Sequence, residues 1–129
     1  MPDAMGYAKR KETCSSEDGQ SADPITQLYD AVAERRHWKG ADSRTAKLFA
    51  AGIPKMAQKL VEEAGEAAIE AVRGQRSSFK QESADLLYHL VVLWHALDLA
   101  PREIWDEMRR REKMMGIAEK LPKHLHRVL

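Results

Sequence analysis

The chain has 129 residues, enough for one domain with a core of its own. Its 21 Lys and Arg against 20 Asp and Glu leave it almost neutral, which argues against nucleic-acid binding driven by bulk charge. A hydrophobic content of 43% argues against wholesale disorder, and the single cysteine, Cys14, permits no internal disulfide. No apolar run reaches the length of a membrane span, and the N-terminus lacks the apolar stretch of a signal peptide. The expected setting is cytoplasmic, with no membrane partner.

Residues 1–23 are rich in Ser, Asp, Glu, Lys and Gly and lack apolar periodicity, so they read as a disordered tail. Order is expected to begin at Asp23-Pro24, an N-cap followed by proline at the first helical position. Ile25, Leu28, Tyr29, Val32 and Ala33 then recur at helical spacing. The stretch "WKGADSRTAKLFAAG" is a connection carrying Gly40 and Gly52, with a short helical turn expected over 45–50. Pro54 opens the next helix, which should stop at Gly74 and bury Met56, Ala57, Leu60, Ala64, Ala67, Ala68 and Ala71.

After a short turn, where Ser77 or Ser78 could serve as a cap, comes "ESADLLYHLVVLWHAL". It is apolar almost all round from Leu86 and so is expected to be buried on every side. Ala100-Pro101 ends it and starts a last helix, whose "RRREK" reads as a solvated end. Trp94 and Trp105 are expected to pack between helices, while Trp38 lies in a Gly-flanked loop. Residues 116–129 form a basic extension. The expected fold is all-α: a domain at 24–115 with four main helices in a bundle, its core completed by homodimerisation.

The apolar helix enters that core with two carboxylates, Glu82 and Asp85, on one face, in a stripe with His89. On the preceding helix Lys59, Glu63, Glu66 and Glu70 form one stripe, with Glu62 further round. A short turn makes the two helices antiparallel neighbours, so these carboxylates should face one another. Like charges gathered at a core edge are costly without a counter-charge. An all-oxygen set favours Mg²⁺, or Mn²⁺, over zinc. The plainer alternatives are a solvated face for the glutamates and a dipole-favoured helix start for Glu82 and Asp85.

These residues carry a resemblance. "KLVEEAGEAAIEAV" followed by "ESADLLYHLVVLWHAL" resembles the phosphoribosyl-ATP pyrophosphohydrolase family, within the all-α MazG-type nucleoside triphosphate pyrophosphatases. Their motif is E-E-x-x-E then E-x-x-D, matched here by Glu62, Glu63 and Glu66, then Glu82 and Asp85, with fifteen residues between the halves. "SRTAKLFAAGIPKMAQK" is similar to the family's loop into the first acidic helix, with Arg44 where that family usually has an aromatic and Val61 where it usually has glycine.

The resemblance implies Mg²⁺-dependent hydrolysis of phosphoribosyl-ATP to phosphoribosyl-AMP and pyrophosphate, the second step of histidine biosynthesis. It places the metal on Glu63, Glu66, Glu82 and Asp85, and water activation on Glu62 or Glu63. Lys47, Lys55 and Lys59 would balance the polyphosphate, or are ordinary surface charges. Ser43 and Thr45 would donate to phosphate or cap the turn. His89 is a satisfied core histidine or a substrate contact. Two other functions fit the same chain: a related pyrophosphatase acting on another nucleotide, and a non-catalytic helical dimerisation module. The partners expected are a nucleotide and a second copy of the chain, as a homodimer or larger.

Overall fold

The computed structural model describes residues 23–38 and 43–115, and within them the chain is all-α. Five helices follow in order: α1 Pro24–Arg35, α2 Arg44–Ala51, α3 Ile53–Arg73, α4 Arg76–Ala96 and α5 Pro101–Met115. The expected tail at 1–23, apart from the capping Asp23, and the expected extension at 116–129 lie outside the described residues. No described helix is long and apolar enough to cross a membrane.

Local chemistry sets each boundary. Asp23 caps α1, its carboxylate accepting from the Thr26 amide and the Thr26 hydroxyl, both at 2.9 Å. Ser43 caps α2 by accepting from the Ala46 amide at 3.0 Å, and the turn expected at 45–50 is a full helix of eight residues. Gly52, at φ 95°, ends α2 and lets α3 begin at the next residue. Gly74, at φ 71°, closes α3 in a Schellman motif: its amide donates to Ala71 O and that of Gln75 to Glu70 O. Neither Ser77 nor Ser78 caps α4, which starts at Arg76 behind Gln75 with no side-chain cap, because the Schellman turn leaves only two residues between the helices.

α4 ends in the same motif as α3, with Asp98 in the glycine position. Asp98 lies at φ 59°, its amide donates to His95 O, and the Leu99 amide donates to Trp94 O. The helix therefore stops at Ala96, with four residues between it and Pro101.

The most extensive packing is between α3 and α4, with α1 laid on α4 and α2 on α3. Val32, Leu48, Met56, Val91 and Val92 form the core, with Tyr29, Phe49, Tyr88 and Trp94 packed around it. Trp94 and Trp105 meet edge to face at 6.2 Å, joining α4 to α5. The core thus occupies the C-terminal half of α4.

Two burial expectations are corrected within the single chain. Ala57, Ala64, Ala68 and Ala71 are exposed, leaving Met56 and Ala67 buried and Leu60 half-buried. On α4 only His89, Val91 and Val92 are buried, and Leu87 is exposed. The physical reason is coverage: α1 and α2 reach only one face of the long α3–α4 hairpin. Val61, Ile69 and Val72 stay open on α3, at 70%, 58% and 89% exposure.

The two Schellman motifs predict stability changes of opposite sign. Gly74→Ala forces a Cβ into the left-handed region and should lower unfolding free energy by about 1 kcal/mol. Asp98→Gly relieves that strain and should raise it by about 0.5–1 kcal/mol. Urea unfolding of both variants checks the pair, and shifts of the same sign would contradict it.

Candidate active site on the hairpin of α3 and α4

The two-residue turn fixes the register of the hairpin. Equal steps outward from Gly74 and Gln75 set Glu82 level with Ala67, Asp85 with Ala64 and His89 with Leu60. Glu63 and Glu66, one turn apart on α3, therefore flank Glu82 on α4. One carboxylate oxygen from each of the three lies within 4.8 Å of the others. Glu63 is buried, and Glu82 Oε2 is buried without a hydrogen-bond partner among the described residues.

Burial, followed by the neighbouring Glu63 and Glu66, pushes the Glu82 carboxyl up to about 7. A proton on Glu82 can be shared with Glu63 or Glu66, whereas in the ionised cluster no donor reaches Oε2. Three converging carboxylates, one of them carrying a buried oxygen without a partner among the described residues, fit a hard divalent cation such as Mg²⁺ or Mn²⁺.

The other expected acidic residues are placed differently. Asp85 lies one turn further along α4, outside the trio, and forms an ion pair with Arg44 at 3.8 Å. Glu70 stands outside the trio and pairs with Arg73 at 3.4 Å. Glu62 faces solvent, where its carboxylate accepts from Lys59 at 3.1 Å and from Gln58 at 3.0 Å. Those bonds hold its pKa below the usual carboxylate value.

Beside the acidic trio lies a cationic pocket of about 450 Å³, lined by Lys47, Lys55, Lys59, Arg44 and His89 over Leu48 and Ala51. The three lysines singled out in the sequence thus share one cavity. Ser43 and Thr45 are both buried and already engaged: Ser43 caps α2, and the Thr45 hydroxyl shares a hydrogen bond with Tyr88 at 2.7 Å. With Trp38, Arg35, Arg44 and Tyr88 they line a second, smaller cavity of about 260 Å³.

His89 is 1% exposed. Arg44 donates to its Nε2 at 3.0 Å, and a guanidinium cannot accept, so the neutral ring carries its proton on Nδ1. Burial first, then the charges of Arg44 and Lys59, lower its pKa and keep it neutral. Nδ1 has no partner among the described residues, so His89 is only half-satisfied. His95, one and a half turns on, is held similarly: Arg36 donates to its Nδ1 at 2.9 Å, and the rings of Tyr29 and Phe49 enclose it.

Arg44, noted in the sequence only as a departure from the family's usual aromatic, is a site residue in the structure. It touches Asp85 and His89, and its guanidinium lies 4.4 Å from the centre of the Tyr88 ring. Its position in the acidic-helix loop was visible, but nothing local in "SRTAKL" shows that it reaches across to α4.

The raised Glu82 pKa yields a pH prediction for metal-free protein. The folded chain keeps a proton that the unfolded chain releases near the ordinary value of 4.5, so stability falls as pH rises from about 4.5 to about 7. His89 acts with the opposite sign, its lowered pKa costing stability as pH falls through the ordinary histidine range. Comparing the wild type with Glu82→Gln separates them. In chelator, the variant should gain stability relative to the wild type as pH climbs through that window. A constant difference between the two urea midpoints would contradict a strained Glu82.

The sequence comparisons bear on the same region. The family model for phosphoribosyl-ATP pyrophosphohydrolase matches residues 25–112. The chain is 55% identical over 102 residues to "Phosphoribosyl-ATP pyrophosphatase 2" of Rhodopseudomonas palustris, covering 79% of this chain and 78% of that protein. It is 53% identical over 102 residues to the protein of the same name from Bradyrhizobium diazoefficiens, covering 79% and 76%. Against the phosphoribosyl-ATP pyrophosphatase of Azospirillum brasilense it is 51% identical over 108 residues, covering 81% and 95%. A matched span that takes in both acidic helices, with relatives this similar over most of their length, makes the chain an enzyme of the phosphoribosyl-ATP pyrophosphohydrolase family.

Proposed function

We propose that the chain hydrolyses phosphoribosyl-ATP to phosphoribosyl-AMP and pyrophosphate, with Mg²⁺ held by Glu63, Glu66 and Glu82 and joined by Asp85. The observation that carries this is the adjacency of two opposite cradles. The acidic trio, with its unpartnered buried oxygen, lies beside a pocket lined by three lysines and an arginine. The names of the similar proteins support phosphoribosyl-ATP as the substrate. They also weigh against a non-catalytic module.

Bound in the trio, the cation would neutralise charge developing on the phosphate oxygens. Lys47, Lys55 and Lys59 would bind the polyphosphate and hold it over the carboxylates. Water adds across the α–β phosphoanhydride, so one of its protons must leave to a base. Of the two candidates, Glu63 stands within the cluster, whereas Glu62 faces solvent with its carboxylate already bonded by Lys59 and Gln58. Glu63 is the better placed for the role.

We also propose a homodimer. Val61, Ile69 and Val72 stand open on the long hairpin, together with Ala57, Ala64, Ala68 and Ala71. An apolar face of that extent calls for a partner surface.

Pyrophosphate release should be seen with phosphoribosyl-ATP, exceed that with ATP and other common triphosphates, and vanish in excess chelator. Preference for another triphosphate would reassign the substrate, and release that persists in chelator would remove the metal. Glu66→Gln and Asp85→Asn should each reduce turnover by about 100-fold or more with the fold intact. Full activity in both would displace the metal site.

Sedimentation at micromolar concentration should give at least twice the 14.6 kDa of the chain. A stable folded monomer would refute the dimer. If each pocket draws on both subunits, mixing Asp85→Asn and Lys47→Ala chains should restore activity that neither has alone. No recovery after confirmed subunit exchange would place each site within one chain.

A further inference from the structure

We propose that Arg44 is an exchange residue that couples the two cradles: it is the counter-ion of Asp85 in the ligand-free chain and a phosphate ligand in the loaded one. The inference rests on the proposed function for the nature of the two ligands, a divalent cation and a nucleotide polyphosphate. Its structural basis is the unequal strength of the contacts Arg44 makes.

Two contacts anchor the guanidinium. Nη2 donates to the buried His89 Nε2 at 3.0 Å, and the group stacks on Tyr88 at 4.4 Å. Both supports are themselves fixed. Tyr88 is tied through its hydroxyl to the buried Thr45, and the start of α2 is pinned by the Ser43 cap.

The third contact is loose. The same Nη2 stands 3.8 Å from Asp85 Oδ1, beyond hydrogen-bond range, and the two side chains are 55% and 45% exposed. Exposed pairs of this kind are weak, so Asp85 can leave without unseating the arginine.

What replaces Asp85 follows from the surroundings. Asp85 is one helical turn from Glu82, whose oxygen converges with those of Glu63 and Glu66, so a cation there draws its carboxylate. Arg44 lines the cavity that holds Lys47, Lys55 and Lys59, so a polyphosphate there draws its guanidinium. A planar guanidinium bonds phosphate oxygens in pairs, which its single long contact to Asp85 does not provide. Each ligand thus removes the competitor of the other. By linkage, the cation tightens nucleotide binding and the nucleotide tightens cation binding by the same factor.

The test uses Arg44→Gln and Arg44→Lys in the full chain, with two binding readouts independent of turnover. Mn²⁺ affinity of the nucleotide-free protein is measured by electron paramagnetic resonance. Affinity for α,β-methylene ATP, which resists cleavage at the α–β position, is measured by calorimetry with saturating Mg²⁺.

Arg44→Gln should bind Mn²⁺ about twofold to fivefold more tightly than the wild type, because Asp85 is released. The same variant should bind the nucleotide about tenfold more weakly, because a charge-assisted pair is lost. Arg44→Lys should keep Mn²⁺ affinity near wild type, with nucleotide affinity between the other two. These opposed signs are not produced by damage to the fold, which would weaken both. Mn²⁺ affinity unchanged or weakened in Arg44→Gln overturns the counter-ion role. Nucleotide affinity unchanged overturns the phosphate role. If Arg44→Gln fails to fold, an Arg44→Lys chain that binds nucleotide as tightly as the wild type overturns the proposal. Failure of the proposed function reads out separately, as no pyrophosphate release by the wild type.

Discussion

Three carboxylates that bring one oxygen each within 4.8 Å of the others, with one buried oxygen that no donor among the described residues reaches, constrain everything around them. Such a cluster destabilises the folded chain unless it is protonated or takes a cation. The Glu82 carboxyl, pushed up to about 7, shows the first of these responses within the protein itself. The cationic pocket next door places charges of opposite sign close by, on α2 and on the first half of α3, which itself carries Glu63 and Glu66. His89 lines that pocket and stands 3.9 Å from Glu63, and Arg44 bonds His89 while pairing with Asp85.

What builds the cluster is a short turn. Gly74 allows α3 to stop and α4 to begin two residues later, and that fixes which residues stand level. A longer connection would free the register, and Glu82 would no longer be held against Glu63 and Glu66. The core lies elsewhere, around Met56, Val32 and the valines of α4. Packing at the open end of the hairpin therefore supports a polar arrangement nearer the turn.

Much of this was legible in the sequence because its signals are local. Asp23-Pro24, Pro54 and Gly74 mark helix ends by backbone chemistry alone, and helical spacing with a short turn brought Glu63, Glu66 and Glu82 face to face. Three things were hidden. Asp98 does the work of a glycine in a left-handed turn, so α4 stops at Ala96, five positions before Pro101. The alanines of α3 read as core because their spacing is apolar, yet spacing does not say whether one chain has enough helices to cover them. Arg44 acts on residues 41 and 45 positions away, a reach that no local pattern records.

The central claim is that the trio is preformed to hold a divalent cation. The most direct measurement is the melting temperature of nucleotide-free protein at neutral pH as Mg²⁺ is raised. A ligand that binds only the folded state stabilises it by about 2.7 kcal/mol at 100 times its dissociation constant. The account predicts a melting temperature that climbs with Mg²⁺ in the wild type and stays flat when Glu66 and Glu82 are both replaced by glutamine. An equal response of the two proteins, or none in either, would contradict it.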